Sequence, residues 1–317
     1  MLRQDNDIIR IDYMKKVILF IFLFILTNSF LFGQNFGGGT GTEYDPYRIY
    51  TIEHLEELAD RVKVWSSEGI NWSDGRYFIL MDDITDSVRF MIGEDGSINK
   101  CPNFQGSFDG NGHKITLALN YPKPSEHNNI GLFSVTSSNV EIKNLIVDGY
   151  IRAAGKHIGA IVGNYLYSSI HHPADSIKIK NCINMANIYV TNIDSTYYVF
   201  VCGIMGHCGL NVICPGLIED CINMGDIIVK SPPASYGNTY TYAAGMMAPP
   251  FANTSVSINR CMNTGYIQAE CVGGIIALPY TIYFPVKAYT ITNCINIGVL
   301  DGTPFKTGAI VGVPFGP

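Results

Sequence analysis

The sequence predicts an all-β chain wound as a parallel β-helix, a solenoid begun by one capping α-helix. Three observations carry this. First, a ten-residue phrase recurs: Ile179 to Ile188, Ile218 to Ile227, Ile258 to Ile267 and Ile291 to Leu300, with a weaker copy from Ile142 to Ile151 that has Leu145 where the others have cysteine. Its cysteines, Cys182, Cys221, Cys261 and Cys294, lie 39, 40 and 33 residues apart. A period in that range signals stacked units, none able to bury its apolar face alone. Second, the copies are rich in Ile, Val, Thr and Tyr and alternate with period two. Cys294, Asn296, Gly298 and Leu300 interleave with Ile295, Ile297 and Val299, which is the period of a strand. Third, a glycine-rich phrase separates the copies: Ile158 to Gly163, Cys202 to Gly206, Ala244 to Ala248, Val272 to Ala277 and Thr307 to Gly312. Short strands broken by Gly and Asn turns, several per repeat, describe one coil of a β-helix.

Taken in order, residues 1–13 read as an upstream mis-start or an extended basic region before a signal peptide at 14–33. Met14-Lys15-Lys16 precedes ten apolar residues, Val17 to Leu26. Such a run is short for a membrane span and fits a cleaved export signal, with Gly33 the last residue removed. Residues 34–46, holding Gly37-Gly38-Gly39, read as a flexible leader. Thr51 is placed to cap a helix over about 52–64, with Leu55, Leu58, Ala59 and Val62 on its apolar face. Its expected task is to cover the open end of the strand stack. Tyr77 to Met81 reads as a strand, and Asp109-Gly110-Asn111-Gly112 as a tight turn before the strand of Ile115, Leu117 and Leu119. The β-helix domain is assigned to 47–317. Its last repeat ends at Gly312, and the C-terminal end is expected to be uncapped, to be covered by a further domain or a partner chain.

Only 15% of the residues are charged, against about 25% in ordinary globular chains. Side chains stacked into apolar and uncharged polar ladders account for the shortfall. A net charge of -6 offers no footprint for nucleic acid. Nine cysteines in an exported chain suggest disulfides. The repeated four, however, would stack about 4.8 Å apart with parallel side chains, whereas a disulfide needs converging Cβ atoms nearer about 3.8 Å. A column of reduced thiols is therefore expected. Asn184, Asn223, Asn263 and Asn296, two residues after each cysteine, are expected to form an amide ladder.

Asp45-Pro46-Tyr47, the helix with Leu55 and Leu58, Asp82-Asp83-Ile84, Gly106 to His113 and Gly131-Leu132-Phe133 appear in that order. The series resembles the GLUG-motif, right-handed β-helix proteins of bacterial surfaces, over about residues 40–312. The resemblance implies right-handed winding and a surface location. Relative to simple members, the chain carries insertions at 164–176, 191–201, 230–243 and 278–289.

Candidate chemistry is sparse. Asp82, Asp83, Asp109 and Asn111 offer oxygens of the kind calcium takes, without a known loop spacing. Cys202, His207, Cys208 and Cys214 offer soft ligands without a Cys-x-x-Cys pair, and a Cys208–Cys214 disulfide is the competing reading. His171-His172 is a loop pair without a partner in sequence. No metal and no cofactor is expected. A carbohydrate-cleaving enzyme would need paired carboxylates. Glu141, Asp148, Asp175, Glu219, Asp220, Asp226, Glu270 and Asp301 are available, but only Glu219-Asp220 are adjacent, and adjacent strand residues point to opposite faces. Gly206-His207-Cys208-Gly209 is similar to the Gly-His-Gly of pectin hydrolases, whose other phrases are missing, and no His-Glu-x-x-His is present. The aromatic residues of the insertions, Tyr165, Tyr167, Phe251, Tyr280, Tyr283 and Phe284, follow equivalent strands and are expected along one edge, where rings stack on sugars or dock a protein. The expected role is an exported, secreted or cell-surface module for adhesion or display, with a glycan or a host or surface protein as partner. The competing readings are a β-helix polysaccharide lyase or glycoside hydrolase, and a spacer within a larger exported protein.

Overall fold

The computed structural model describes residues 36–66, 70–94, 102–123, 127–137, 139–166, 176–191, 198–208, 215–230, 241–248, 255–277, 290–303 and 306–312. The mis-start and signal-peptide readings at 1–33 and the residues after Gly312 lie outside them. Every pairing between strands is parallel, and strands of successive coils stack on one another in each sheet. The first sheet has eight strands in coil order: Tyr47–Ile49, Tyr77–Leu80, Ser107–Asp109, Val140–Lys143, Ile177–Lys180, Pro215–Glu219, Ser255–Asn259 and Thr290–Thr292. An eleven-stranded sheet carries the second half of the ten-residue phrase, pairing Asn184 with Asn223, Asn223 with Asn263 and Asn263 with Asn296. The chain is a parallel β-helix.

The five later coils turn their first corner at a residue in the left-handed region: Asn144, Asn181, Asp220, Arg260 and Asn293, with φ between 50 and 54°. Asn and Asp tolerate this conformation, and Arg260 is the unusual occupant. The following residue, Leu145 or a cysteine, then points into the core. Cys182, Cys221 and Cys261 are buried, and Cys294 partly so. Each Sγ donates to a carbonyl two residues back, at 3.2–3.4 Å, and approaches a carbonyl of the preceding coil at 3.5–3.7 Å. These four are free thiols. Burial first of all pushes the Cys221 thiol well up.

The glycine-rich phrase builds a second feature. A six-stranded sheet (Asn129–Ile130, His157–Gly159, Val199–Cys202, Thr241–Ala244, Cys271–Gly273, Thr307–Gly308) turns sharply into a three-stranded one (Phe133–Thr136, Val162–Tyr165, Met205–Cys208). Ile158, Val201, Ala243 and Val272 join the main core. Their neighbours Phe200, Cys202, Tyr242, Ala244 and Cys271 form a second cluster with Ala248 and Ala277. From Val199–Cys202 to Cys271–Gly273 both faces of these strands are buried, unlike the alternating burial of the first sheet. The strands ending at Tyr165 and beginning at Val199 and Thr241 extend the regular stack into stretches that the sequence suggested were insertions.

At the N-terminal end the helix spans Ile52–Val62 and buries Leu55, Leu58, Ala59 and Val62. Thr51 occupies the capping position but makes no capping side-chain bond, and the helix ends two residues before Val64, which is 54% exposed. The stretch before Tyr47 is not a loose leader. The Phe36 ring stacks on Tyr47 at 4.8 Å and on Trp72 at 6.1 Å, and Gly37 N–H bonds to Arg48 O at 2.8 Å. Aromatic burial explains the order: Phe36 is 5% exposed.

Candidate functional site

The outer face of the first sheet is a strip of interlocked polar side chains. Alternation aims Asp109, Glu141, Lys143, Lys178, Lys180, Glu219 and Asn259 outward, and the register stacks them coil upon coil. Lys180 Nζ lies 2.9 Å from Glu141 Oε1, and Lys143 Nζ lies 3.6 Å from Asp109. The corner residues join in. Asn144 Nδ2 donates to Asp109 at 2.9 Å, and Asn181 Nδ2 to Asn144 Oδ1 at 2.9 Å. Arg260 binds Asp220 through two nitrogens at 2.7 Å each and Glu219 at 3.1 Å. Glu219 and Asp220 therefore share one guanidinium and do not point apart as simple alternation requires. The left-handed φ of 54° at Asp220 breaks the alternation.

The other named acids also have partners. Asp148 faces Lys114 at 3.6 Å, Asp226 accepts the Tyr266 N–H at 2.9 Å, Glu270 binds Lys306, and Asp301 accepts from Tyr266 Oη at 2.7 Å and Gln268 at 2.9 Å. Asp175 lies outside the described residues. The Arg260 guanidinium holds the Asp220 carboxyl below its usual range. A general acid requires the opposite shift. The suggested calcium oxygens are spent on turns. Asp109 Oδ1 accepts Asn111 N–H at 2.8 Å, while Asp83 Oδ1 accepts Lys114 N–H at 3.0 Å and meets His113 Nδ1 at 3.1 Å. Among the described residues no group of three or more His, Cys, Asp or Glu side chains could hold a metal.

Two buried columns lie inside. Asn184, Asn223 and Asn263 each donate Nδ2 to the next amide oxygen at 2.7 Å and to a carbonyl two residues on at 3.0–3.2 Å. The glycine-rich phrase leaves room for them: a Cβ on Gly203 would stand 2.2 Å from Asn223 Oδ1. The second column is a seam of imidazoles and rings that sequence reasoning missed. His157 Nδ1 lies 2.7 Å from Asn129 Oδ1, Asn164 Nδ2 donates to the same oxygen at 3.0 Å, and His207 Nδ1 lies 3.3 Å from Asn164 Oδ1. The two imidazoles stack at 4.4 Å, and Phe200 follows at 5.2 Å from His207. Burial lowers His207 to about 4. His157 is also held well below its ordinary value, by burial first, then by His207 and Lys156. The available signal was positional: Asn164 and His207 each follow the glycine of an equivalent phrase.

Of the six proposed edge aromatics, Tyr165 is 1% exposed and belongs to the main core. Its strand has both faces buried, so its ring is withdrawn from any edge surface. Tyr167, Phe251, Tyr280, Tyr283 and Phe284 lie outside the described residues, as do Cys214 and His171-His172. Cys202, His207 and Cys208 are all buried.

The winding has a solved counterpart. A protein of Bacteroides ovatus, described provisionally as an immunoglobulin A1 protease, superposes with a TM-score of 0.51 over 88% of this chain and 87% of that one, at 18% identity. That likeness concerns the fold alone. In sequence the chain is similar to a provisionally named Gly-rich membrane protein of Evansella cellulosilytica, 35% identical over 135 residues, which are 41% of this chain and 14% of that protein. The chain thus matches a small part of a much longer relative. No protein-family model matches it. Among the described residues no helix is long and apolar enough to cross a membrane, which says nothing of membrane-crossing strands.

Proposed function

We infer that the chain is an exported, non-catalytic β-helix module that serves adhesion or display at a cell surface, in the manner of the GLUG-motif proteins it resembles. One observation carries this reading: the outer face of the first sheet is a strip whose carboxylates are matched to lysine, arginine or amide partners. Catalytic carboxylates are kept poised, with displaced acidity and room for substrate between them. Here the acids are engaged with each other's neighbours along the stack, which suits a rigid, hydrated surface. The relative's description as a membrane protein supports a surface setting. The protease description of the structural neighbour stays with that protein.

The test has two arms. Purified chain is incubated with neutral and acidic polysaccharides and assayed for new reducing ends and unsaturated products. Cells carrying the full gene are treated with an external protease, and loss of the chain is followed by immunoblot. No cleavage and full protease accessibility are expected. Turnover of any polysaccharide that survives further purification would overturn the non-catalytic reading, and protection in intact cells would overturn the surface one.

A further inference from the structure

The capping helix does more than close the stack. Glu56, Ala59, Asp60 and Lys63 stand at i, i+3, i+4 and i+7, so they share one stripe of the helix. Ala59, the smallest of the four, lies in the middle of the stripe. Opposite are Phe90, Met91 and Glu94, with Tyr121 and His127 from the next coil. Together these line an open pocket of about 310 Å³. This is near the lower end of the roughly 300–1,000 Å³ typical of small-ligand sites.

Its chemistry is divided. The floor is apolar and aromatic: Met91 is buried, and Phe90 and Tyr121 pack against the core while remaining partly open. The Tyr121 ring is fixed at both ends. Its hydroxyl donates to Arg89 O at 3.2 Å, and its ring meets the His127 ring at 4.7 Å with 75° between planes. The rim is charged and open to water. Lys63 Nζ sits 3.3 Å from Asp60 and 3.2 Å from Glu94, and Glu56 makes no ion pair among the described residues. A fixed ring beside three carboxylate acceptors and one ammonium donor matches a ligand with an apolar face and a hydroxyl-rich, proton-donating edge. Three carboxylates against one ammonium disfavour an anionic ligand.

We propose that this cavity binds one pyranose unit of a neutral glycan, the sugar face resting on Tyr121 and its hydroxyls bridging Glu56, Asp60, Lys63 and Glu94. The proposal rests on the binding-module reading and supplies its ligand class. Ligand-observed NMR and titration calorimetry of the purified chain with cellotetraose, mannotetraose and N-acetylchitotetraose test it, with tetragalacturonate as the charged control. At least one neutral tetrasaccharide is expected to bind. Tyr121→Ala should weaken it at least tenfold. Glu56→Gln, on an exposed position with no packing role, should weaken it about threefold and leave the circular dichroism unchanged. The proposal is overturned if no neutral tetrasaccharide binds, if tetragalacturonate binds as well as the best neutral one, or if either variant, natively folded, keeps the parent affinity. Chromatography of the recovered sugar separates the two readings. Shortened product would sink the non-catalytic function with binding intact, whereas failure to bind sinks only the cavity proposal.

Discussion

Two columns of polar side chains climb the later coils of the stack, one inside from Asn184 and one outside from Asn144, and they follow different rules. The inner column is asparagine at all four levels, Asn184, Asn223, Asn263 and Asn296. The outer corner column drifts from Asn144 and Asn181 to Asp220, Arg260 and Asn293, although all five share one left-handed backbone conformation. Inside, a short amide donates to the next coil, accepts from the one before and still has a second N–H for its own turn, more than a single hydroxyl offers, and water cannot replace these bonds. Outside, solvent meets any shortfall, so charge can replace amide wherever a neighbour of opposite sign stands on the next coil. Strictness follows burial, even though both columns turn the same chain.

Breaking the inner column should have the largest effect. Asn223→Leu leaves Asn184 Nδ2 and Asn263 Oδ1 without the partners they hold at 2.7 Å. Each unmet buried group costs about 1–3 kcal/mol, so a loss of roughly 3 kcal/mol or more is expected in urea unfolding. Gly203→Ala attacks the same column from the bend between Val199–Cys202 and Met205–Cys208, with its Cβ 2.2 Å from Asn223 Oδ1. It should cost about 1–3 kcal/mol as an overpacked site. A loss below about 0.5 kcal/mol for Asn223→Leu would show that the ladder is not strained by its own burial rule.

The sequence made the repeat, the strand period and the thiol column legible because each repeats at a fixed offset from Cys182, Cys221, Cys261 and Cys294. The left-handed corner was hidden because its occupants differ chemically. Only the backbone reveals that Asp220 and Arg260 do what Asn181 does. That is also why Glu219 and Asp220 were read as pointing apart. Tyr165 was misplaced because its strand is buried on both faces, and period two cannot distinguish such a strand from one with a wet edge. The seam and the cavity escaped because their members are far apart in sequence. His157 and His207 meet across one coil, and Tyr121 and His127 are carried to the helix by the winding, although the Glu56–Ala59–Asp60–Lys63 stripe could be read directly.

The imidazole seam sharpens the comparison, since it is an inner column whose polar atoms can also titrate. His207 stands at about 4 in the fold, because burial disfavours its charged form, against an ordinary 6.5. Above 6.5 both folded and unfolded chains hold it neutral. Between 6.5 and 4 the unfolded chain takes up a proton that the fold refuses, so stability falls as pH drops through that window and levels off below it. At about 1.36 kcal/mol per unit, the loss approaches about 3 kcal/mol, and His157, shifted in the same direction, adds to it. Urea midpoints taken from pH 7 to pH 4 should show this slope, and His207→Gln should flatten it. An unchanged slope in that variant would mean the titration lies elsewhere.

The thiol column gives a smaller, kinetic contrast within one set of equivalent residues. Cys182, Cys221 and Cys261 are at most 1% exposed, while Cys294 is only partly buried. Burial raises Cys294 too, so its reaction should be slow. Even so, peptide mapping after timed alkylation of native chain should find Cys294 modified before the other three. Equal rates would mean that the stack opens as one unit.

The outer column should show the smallest effect. Arg260 holds Asp220 and Glu219 with good geometry, but its side chain is 50% exposed and that of Asp220 45%. Water competes for both charges, salt screens them, and two long side chains lose freedom in one geometry. Arg260→Asn should therefore leave the melting temperature close to the parent, and any change should shrink further in high salt. Asparagine is also better suited to a φ of 52° than arginine is, so the backbone gains what the ion pair loses. A large, salt-independent drop for Arg260→Asn would mean that the outer corner, like Asn223, is fixed by burial. The contrast between the two columns would then fail at its own weakest point, where a charged pair has replaced the amides.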